Sequence, residues 1–414
     1  MRDGWKEIAL GEIVELGKGG SWGQDDQSAD LIQVVCLRGT DLAELIDRRI
    51  PEAPVRWIKE SELRKSKCSK DMVLIETSGS KCGRSIVLTD EILAKFDLPV
   101  IYSNFCRTLT IDIKTVTREF VEIWFSHNYA NGLIPSYRAT SAMPNLDVKA
   151  LLRVEHIKVP PLPEQKRIVD LVSSVDSYIE ALQQQLESAK RSKNAVLHEL
   201  LTAGGDDWVE TTLGDVCDFI NGDRGKNYPS AKFRQSHGIP FINAGHLDNG
   251  VVKFDSMDFI SEEVFEKLGS GKVQPGDILF CLRGSVGKFA NVEDLQEGAI
   301  ASSLVIIRPR SRITKDFLMH YFDSDLCASE LKKSLTGAVQ PNLSANNLKN
   351  FKITLPALER QIEIGDLLVK FNSSITSVSF LLESAGKLRS GILSDLLSGD
   401  HEIPASYDKL IGAA

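Results

Sequence analysis

LESAKRSKNAVLHELLT, Leu186 to Thr202, and LESAGKLRSGILSDLLS, Leu382 to Ser398, are one stretch written twice. Aligned without a gap they agree at seven of seventeen positions, against about one expected from background composition. The match extends upstream at the same offset of 196 residues: PPLPEQKRIVDLV from Pro160 lies over PALERQIEIGDLL from Pro356, pairing Leu162 with Leu358, Gln165 with Gln361 and Ile168 with Ile364. Slightly earlier, at an offset of 197, MPNLDVKAL lies over QPNLSANNL. An internal repeat of this kind fixes the organisation of the chain before any single residue is interpreted.

The repeated segments read as helices. Ile168, Val172, Val175, Ile179, Leu182, Leu186, Ala189, Lys193, Val196 and Leu200 step by alternating four and three residues. The second copy repeats the pattern at Ile364, Leu368, Phe371, Ile375, Val378, Leu382, Ala385, Arg389, Ile392 and Leu396. A heptad stripe sustained this long needs an apolar partner. The short linker TAGGDDW places the second half of the chain at the far end of the first helix, so the second helix must run back along it and the coiled coil is antiparallel. At ~1.5 Å per residue, about 38 helical residues make a rod of roughly 57 Å with a globular domain at each end and an approximate two-fold axis across its middle. Lys193 and Arg389 fall on the stripe in both copies; either they snorkel to water or they form part of a docking surface.

Before each helix lies a more divergent region. GWKEIALGEIVELGKG from Gly4 is similar to DWVETTLGDVCDFING from Asp207, and DMVLIETSGSKCGRSIVL from Asp71 to GDILFCLRGSVGKFANV from Gly276. Short β-branched and aromatic runs alternate with turn residues, and a helical stretch comes after them, which is an α+β pattern. Pro and Gly punctuation sets the expected divisions: a first variable domain over 1–159, a helix over 160–203, a second variable domain over 204–355, a helix over 356–400 and a tail over 401–414.

Composition excludes several classes. With 42% apolar and 26% charged residues, the chain is ordinary for a globular protein. Its start, MRDGWKEIALGEI, lacks the regions of a signal peptide and no apolar run approaches a membrane span, so a cytoplasmic location is expected. Seven cysteines without a CxxC pair fit neither a disulfide framework nor a zinc site, and reduced, structural cysteines are expected. GSGK at Gly269 and RGSVGK at Arg283 lack the Ser or Thr that a phosphate loop places after its lysine, since Val273 and Phe289 stand there. HELLT at His198 lacks the second histidine of a zinc protease motif, and no nucleophile elbow occurs. The chain reads as one that binds rather than reacts.

A net charge of −8 argues against a chain that is basic all over, but local potential governs the encounter with a polyanion. Gly- and Ser-containing loops with basic and amide side chains are the candidate DNA contacts. In the first variable domain they offer Lys18, Arg38, Ser80, Lys81, Arg84, Tyr137, Arg138 and Asn145. In the second they offer Arg224, Lys226, Tyr228, Arg234, Asn243 and His246, followed by Arg283, Ser285, Lys288, Gln340 and Asn342. Arg, Asn and Gln suit base edges, and Lys and Ser suit phosphates. Two diverged domains on a rod resemble a dimeric reader made from one chain, and the expected target is a split, non-palindromic sequence.

The repeats PPLPEQKRI and LPALERQI leading into heptad helices, with GDILFCLRGSVGK and the segment before PNL, resemble the DNA specificity subunit of type I restriction-modification systems. The resemblance covers nearly the whole chain and implies two target recognition domains separated by two long conserved helices that form an antiparallel coiled coil with pseudo-two-fold symmetry. It implies a non-catalytic subunit that binds double-stranded DNA and docks two adenine-specific methyltransferase subunits, and through them the restriction and translocase subunits. Each helix would offer the same face to one methyltransferase, with Gln165, Lys193, Gln361 and Arg389 as candidate docking residues. S-adenosylmethionine, ATP and Mg²⁺ would be bound by the partners, with none in this chain. One departure is Arg360, which stands where the first copy has Glu164. The competing readings are a coiled-coil scaffold with protein-binding end domains and an enzyme with an unrecognised site.

Overall fold

Proline opens both long helices. Pro160, Pro161 and Pro163 crowd the start of the first and Pro356 the second, where a missing N–H costs nothing because the first turn has no acceptor for it. In the computed structural model, which describes residues 4–25, 30–140, 144–205, 208–248, 250–293, 295–335 and 342–408, the central helix runs Leu162–Thr202 and the C-terminal helix Leu358–Ser398, 41 residues each. A glycine at positive φ follows each of them, Gly204 at +66° and Gly399 at +79°, the left-handed conformation in which helices commonly end.

The chain divides into two compact units, Met1–Ala181 with Leu382–Ala414, and Leu182–Leu381. Each therefore holds one variable domain together with the start of one long helix and the end of the other. This division cuts across the sequence-based boundaries because the helix ends share a core with the domains. In the first unit Ile168 and Val172 of the central helix pack with Leu393 and Leu396 of the C-terminal helix. In the second, Leu197 and Leu201 pack with Ile364 and Leu368. The start of one helix meeting the end of the other makes the pairing antiparallel within each unit. The most buried residues of the last turns are Leu197 and Leu393, one position beyond the heptad stripe, because the turn faces the domain core as well as the other helix.

Both variable domains are α+β and share a strand plan. In the first, Lys6–Ala9 pairs antiparallel with His156–Val159, bringing the domain's entry and exit together beside the helices. A four-stranded antiparallel sheet runs in the order Val14–Gly19, Cys106–Ile111, Val73–Glu76, Ser85–Val87, and a three-stranded sheet in the order Val55–Ile58, Ile32–Leu37, Val100–Tyr102 with its last pair parallel. The second domain repeats this: Val209–Thr212 pairs with Lys352–Leu355, and Cys217–Asn221, Leu304–Pro309, Ile278–Cys281, Phe289–Asn291 keep the same order before two further strands. Asp258–Ile260, Ile239–Ile242, Ala299–Ile300 again end in a parallel pair. Isolated bridges recur too, Lys67 with Ile101 and Lys272 with Ala299.

Each domain is fixed to its helix by one glutamine. Gln165 is buried; its Oε1 accepts from Thr117 N–H at 2.8 Å, and its Nε2 donates to the carbonyls of Thr115 at 3.0 Å and Pro160 at 2.8 Å. Gln361 repeats all of this with Thr314 N–H at 2.8 Å and the carbonyls of Arg312 and Pro356 at 3.0 Å. Glu164 and Arg360 differ because their surroundings differ. Glu164 is buried and its Oε2 accepts from the Trp5 indole N–H at 3.1 Å, whereas Arg360 is exposed and pairs with Glu363 at 2.8 Å. The Trp5 ring also lies against Gly399, where an added Cβ would sit 3.2 Å from it.

All seven cysteines are free and buried, with burial pushing the thiols of Cys36, Cys106, Cys217 and Cys327 up to about 12. The tail folds back on the first unit: Ile403 is in its core and Asp408 lies 3.3 Å from Arg167. No helix among the described residues is long and apolar enough to cross a membrane.

Candidate nucleic-acid interface

A turn framed by two glycines at positive φ recurs in both domains, one residue shorter in the second and with different side chains. In the first it joins Val73–Glu76 to Ser85–Val87 and reads Thr77-Ser-Gly-Ser-Lys-Cys-Gly-Arg84; in the second it joins Ile278–Cys281 to Phe289–Asn291 and reads Leu282-Arg-Gly-Ser-Val-Gly-Lys288. Gly79 at φ +121° matches Gly284 at +79°, and Gly83 at +109° matches Gly287 at +93°. The closing bonds match as well: Gly83 N–H donates to Glu76 O at 2.7 Å and Gly287 N–H to Cys281 O at 3.1 Å. Each turn is bridged to the segment before the last short helix of its domain, Ser78 to Asn145 and Arg283 to Asn342. The bond from Leu146 N–H to Thr77 O at 2.9 Å recurs from Leu343 N–H to Leu282 O at 2.9 Å.

The first turn gathers Ser80, Lys81, Arg138 and Asn145. Ser80 and Lys81 are exposed. Arg138 donates from Nε to Cys82 O at 2.9 Å and from Nη1 to Ser80 O at 3.4 Å, with its guanidinium 5.3 Å from the Tyr129 ring, so it shapes the turn. Ser78 Oγ donates to Asn145 Oδ1. The Tyr137 hydroxyl donates a hydrogen bond to Glu155 Oε1. Arg84 leaves the candidate DNA contacts: its guanidinium donates from Nε at 2.8 Å and Nη2 at 2.6 Å to the buried Glu76 carboxylate and is itself largely covered. Arg38 is taken by Asp41, with bonds of 3.0 and 2.8 Å across the start of the helix Gly39–Ile46. Lys18 is exposed at the end of its strand, in no bond with the turn.

The second turn borders a cleft of about 330 Å³ lined by Asn221, Arg224, Arg283, Asn342, Asn346 and Asn347. This brings together Arg224, Arg283 and Asn342, which lie in three separate loops of the sequence; Ser285 and Lys288 are exposed on the same turn. Asn346 and Asn347 are not among the sequence-based candidates, and the only signal for them is the asparagine run of the repeat QPNLSANNL. Lys226 is exposed nearby in sequence, while Tyr228 sits edge-on to Phe241 at 5.9 Å and Arg234 pairs with Asp258 at 2.8 Å. Asn243 and His246 form a cap: Asn243 Oδ1 accepts from Gly245 N–H at 2.7 Å, and the buried His246 accepts through Nδ1 from Asn243 N–H at 3.1 Å. Burial takes His246 out of the contact surface. Gln340 lies outside the described residues.

The docking candidates need correction. Gln165 and Gln361 are buried with both ends of their amides bonded, so neither can meet another chain. Lys193 and Arg389 do not reach for water. Lys193 Nζ pairs with Asp323 Oδ2 at 2.5 Å, and Arg389 grips Asp176 in two bonds, one of 3.0 Å from Nη2. The two copies also do not present the same outward face. Ile362, Val369 and Phe380 of the C-terminal helix are exposed, Phe380 by 68%. Spacings of seven and eleven residues, near whole numbers of turns, put them on one side. At the matching positions the central helix has Lys166, Ser173 and Gln184.

Two α+β domains of one plan, each pinned to a long helix and each carrying an exposed turn bridged to an asparagine, define a chain built from a repeated domain–helix unit. The family model "Type I restriction modification DNA specificity domain" matches residues 2–191 and 205–379, and the chain belongs to that family. It is similar to the type I restriction enzyme MjaVIII specificity subunit of Methanocaldococcus jannaschii, 26% identical over 67% of this chain and 69% of the relative. It is also similar to the EcoKI specificity subunit of Escherichia coli K12, 24% identical over 86% of this chain and 83% of the relative. Among solved structures, the S subunit of a type I system from M. genitalium covers 95% of this chain at a TM-score of 0.56 and 16% identity, and is itself 96% covered. A chain from a study of complex assembly in the type I R-M system covers 97% at 0.61 and 18% identity, and is 99% covered. At these identities the structures support the fold alone.

Proposed function

We propose that this type I specificity chain reads a bipartite, asymmetric DNA sequence, one half through each recognition domain. The observation that carries the reading is the recurrent turn: similarly bridged turns display Ser78 beside Asn145 in the first domain and Arg283 beside Asn342 in the second. A chain that read a palindrome would keep those side chains alike. The two long helices set the gap between half-sites and dock two methyltransferase subunits, which in turn recruit restriction and translocase subunits. Catalysis belongs to those partners, and with it S-adenosylmethionine, ATP and Mg²⁺. A second reading, a scaffold whose end domains bind proteins, draws support from the apolar face around Phe380.

Selection from a randomised duplex library by the complex of this chain with its methyltransferase separates the two. The expected result is enrichment of two short, different half-sites at a fixed gap. A scaffold would retain duplexes without sequence preference.

A further inference from the structure

We infer that Arg283 reads a guanine in the half-site contacted by the second recognition domain, which deepens the function proposed above and rests on it. Among the other candidate arginines, Arg38, Arg84 and Arg234 are held by Asp41, Glu76 and Asp258, and Arg138 and Arg224 donate to backbone carbonyls. Arg283 has no hydrogen bond or ion pair from its guanidinium among the described residues, and it is exposed. An unpaired, presented fork of donors is what bidentate binding to guanine O6 and N7 requires.

Its surroundings add side chains that suit a base edge. The cleft beside it is lined by Asn221, Asn342, Asn346 and Asn347 together with Arg224, and Lys288 is exposed on the same turn. Arginine and asparagine contact phosphates as well as bases, but their paired donor and acceptor atoms also match purine edges bidentately, which a lone ammonium does not. The turn is also held rigidly enough to aim the side chain: Cys281 N–H donates to Lys288 O at 2.8 Å, and Leu343 N–H ties the Asn342 segment to Leu282. In the first domain the equivalent Ser78 is short and already bonded to Asn145, so the guanine requirement is specific to one half-site.

The test is the same randomised-duplex selection run with the wild-type complex and with Arg283→Gln and Arg283→Ser. The wild type should enrich a guanine at one position of one half-site. Arg283→Ser should weaken that preference by roughly 5- to 150-fold with the other half-site unchanged, and Arg283→Gln should move the preference toward adenine. Ser78→Arg, made in an otherwise wild-type chain, should add a guanine preference to the other half-site and guards against a loss of binding in the Arg283 variants. Weaker retention of all sequences with unchanged motifs would make Arg283 a phosphate contact and overturn the inference while leaving the function intact. Unchanged motifs at unchanged retention would overturn it as well. A wild-type complex that enriches nothing would refute the function itself.

Discussion

Thr117 donates its backbone N–H to the side-chain oxygen of Gln165, a bond of 2.8 Å that joins the N-cap of the helix Arg118–Ala130 in the first recognition domain to the opening turn of the central helix. Thr314 and Gln361 repeat it at 2.8 Å. Because the same amide also donates to two carbonyls, its loss would strand several buried backbone groups. We expect Gln165→Ala and Gln361→Ala each to cost on the order of 3 kcal/mol, read from urea unfolding of the full chain. Gln165→Glu keeps the acceptor but turns a second acceptor oxygen toward the carbonyls of Thr115 and Pro160 at a buried site, so at neutral pH it should destabilise at least as much as Gln165→Ala. A change under about 0.5 kcal/mol, the range of a neutral surface substitution, would mean that the glutamine does not carry the junction.

Arg84 and Arg283 occupy the same kind of turn and should behave oppositely. Arg84→Ala leaves the Glu76 carboxylate buried without its cation, a loss on the order of 3 kcal/mol, and should lower the melting temperature. Arg283→Ala removes no internal bond and should shift stability by less than about 0.5 kcal/mol. Thermal unfolding monitored by circular dichroism compares the two directly.

The exposed face of Ile362, Val369 and Phe380 should serve protein docking. Phe380→Asp is expected to leave folding intact and to reduce the methyltransferase count from two to one in native mass spectrometry of the assembled complex. Ser173→Asp, on the matching polar face of the central helix, tests whether that face contributes. A two-methyltransferase complex undiminished by Phe380→Asp would place docking elsewhere.

Burial holds the Glu122 carboxyl up at about 7 from an ordinary 4.5, opposed by a bond from Val87 N–H and reinforced by Glu119 and Asp176. The folded chain thus keeps this proton more tightly than the unfolded chain. The stability it contributes is fully present below pH 4.5 and is lost as pH rises through 7. Wild type minus Glu122→Gln, compared by urea midpoints across that window, should slope downward with increasing pH. A flat difference would show that the carboxyl titrates normally.

The features legible in the sequence are the periodic and the repeated ones. The heptad stripe locates both helices, and the pairing of Gln165 with Gln361 marks a shared role, but that role is to pin a domain rather than to dock a partner. A glutamine in a helix's first turn reads as exposed, and only the return of the Thr115–Thr117 segment buries it. Arg84 and Arg283 are equivalent as letters in similar turns. The difference lies in Glu76, the last residue of the strand before the first turn, against the uncharged Cys281 at the same place before the second. The cleft of asparagines beside Arg283 arises from a bridge between segments about sixty residues apart, which no local pattern encodes. Lys193 does stand on the stripe, yet its partner Asp323 comes from another element, beyond the reach of helical spacing.

The claim that two recognition domains in one chain specify two halves of one target is tested most directly by mapping methylated adenines genome-wide in cells with and without this chain. The account predicts that one bipartite motif with unlike halves and a constant gap is methylated only when the chain is present. An identical methylation pattern in both strains, or the loss of a single undivided motif, would contradict it.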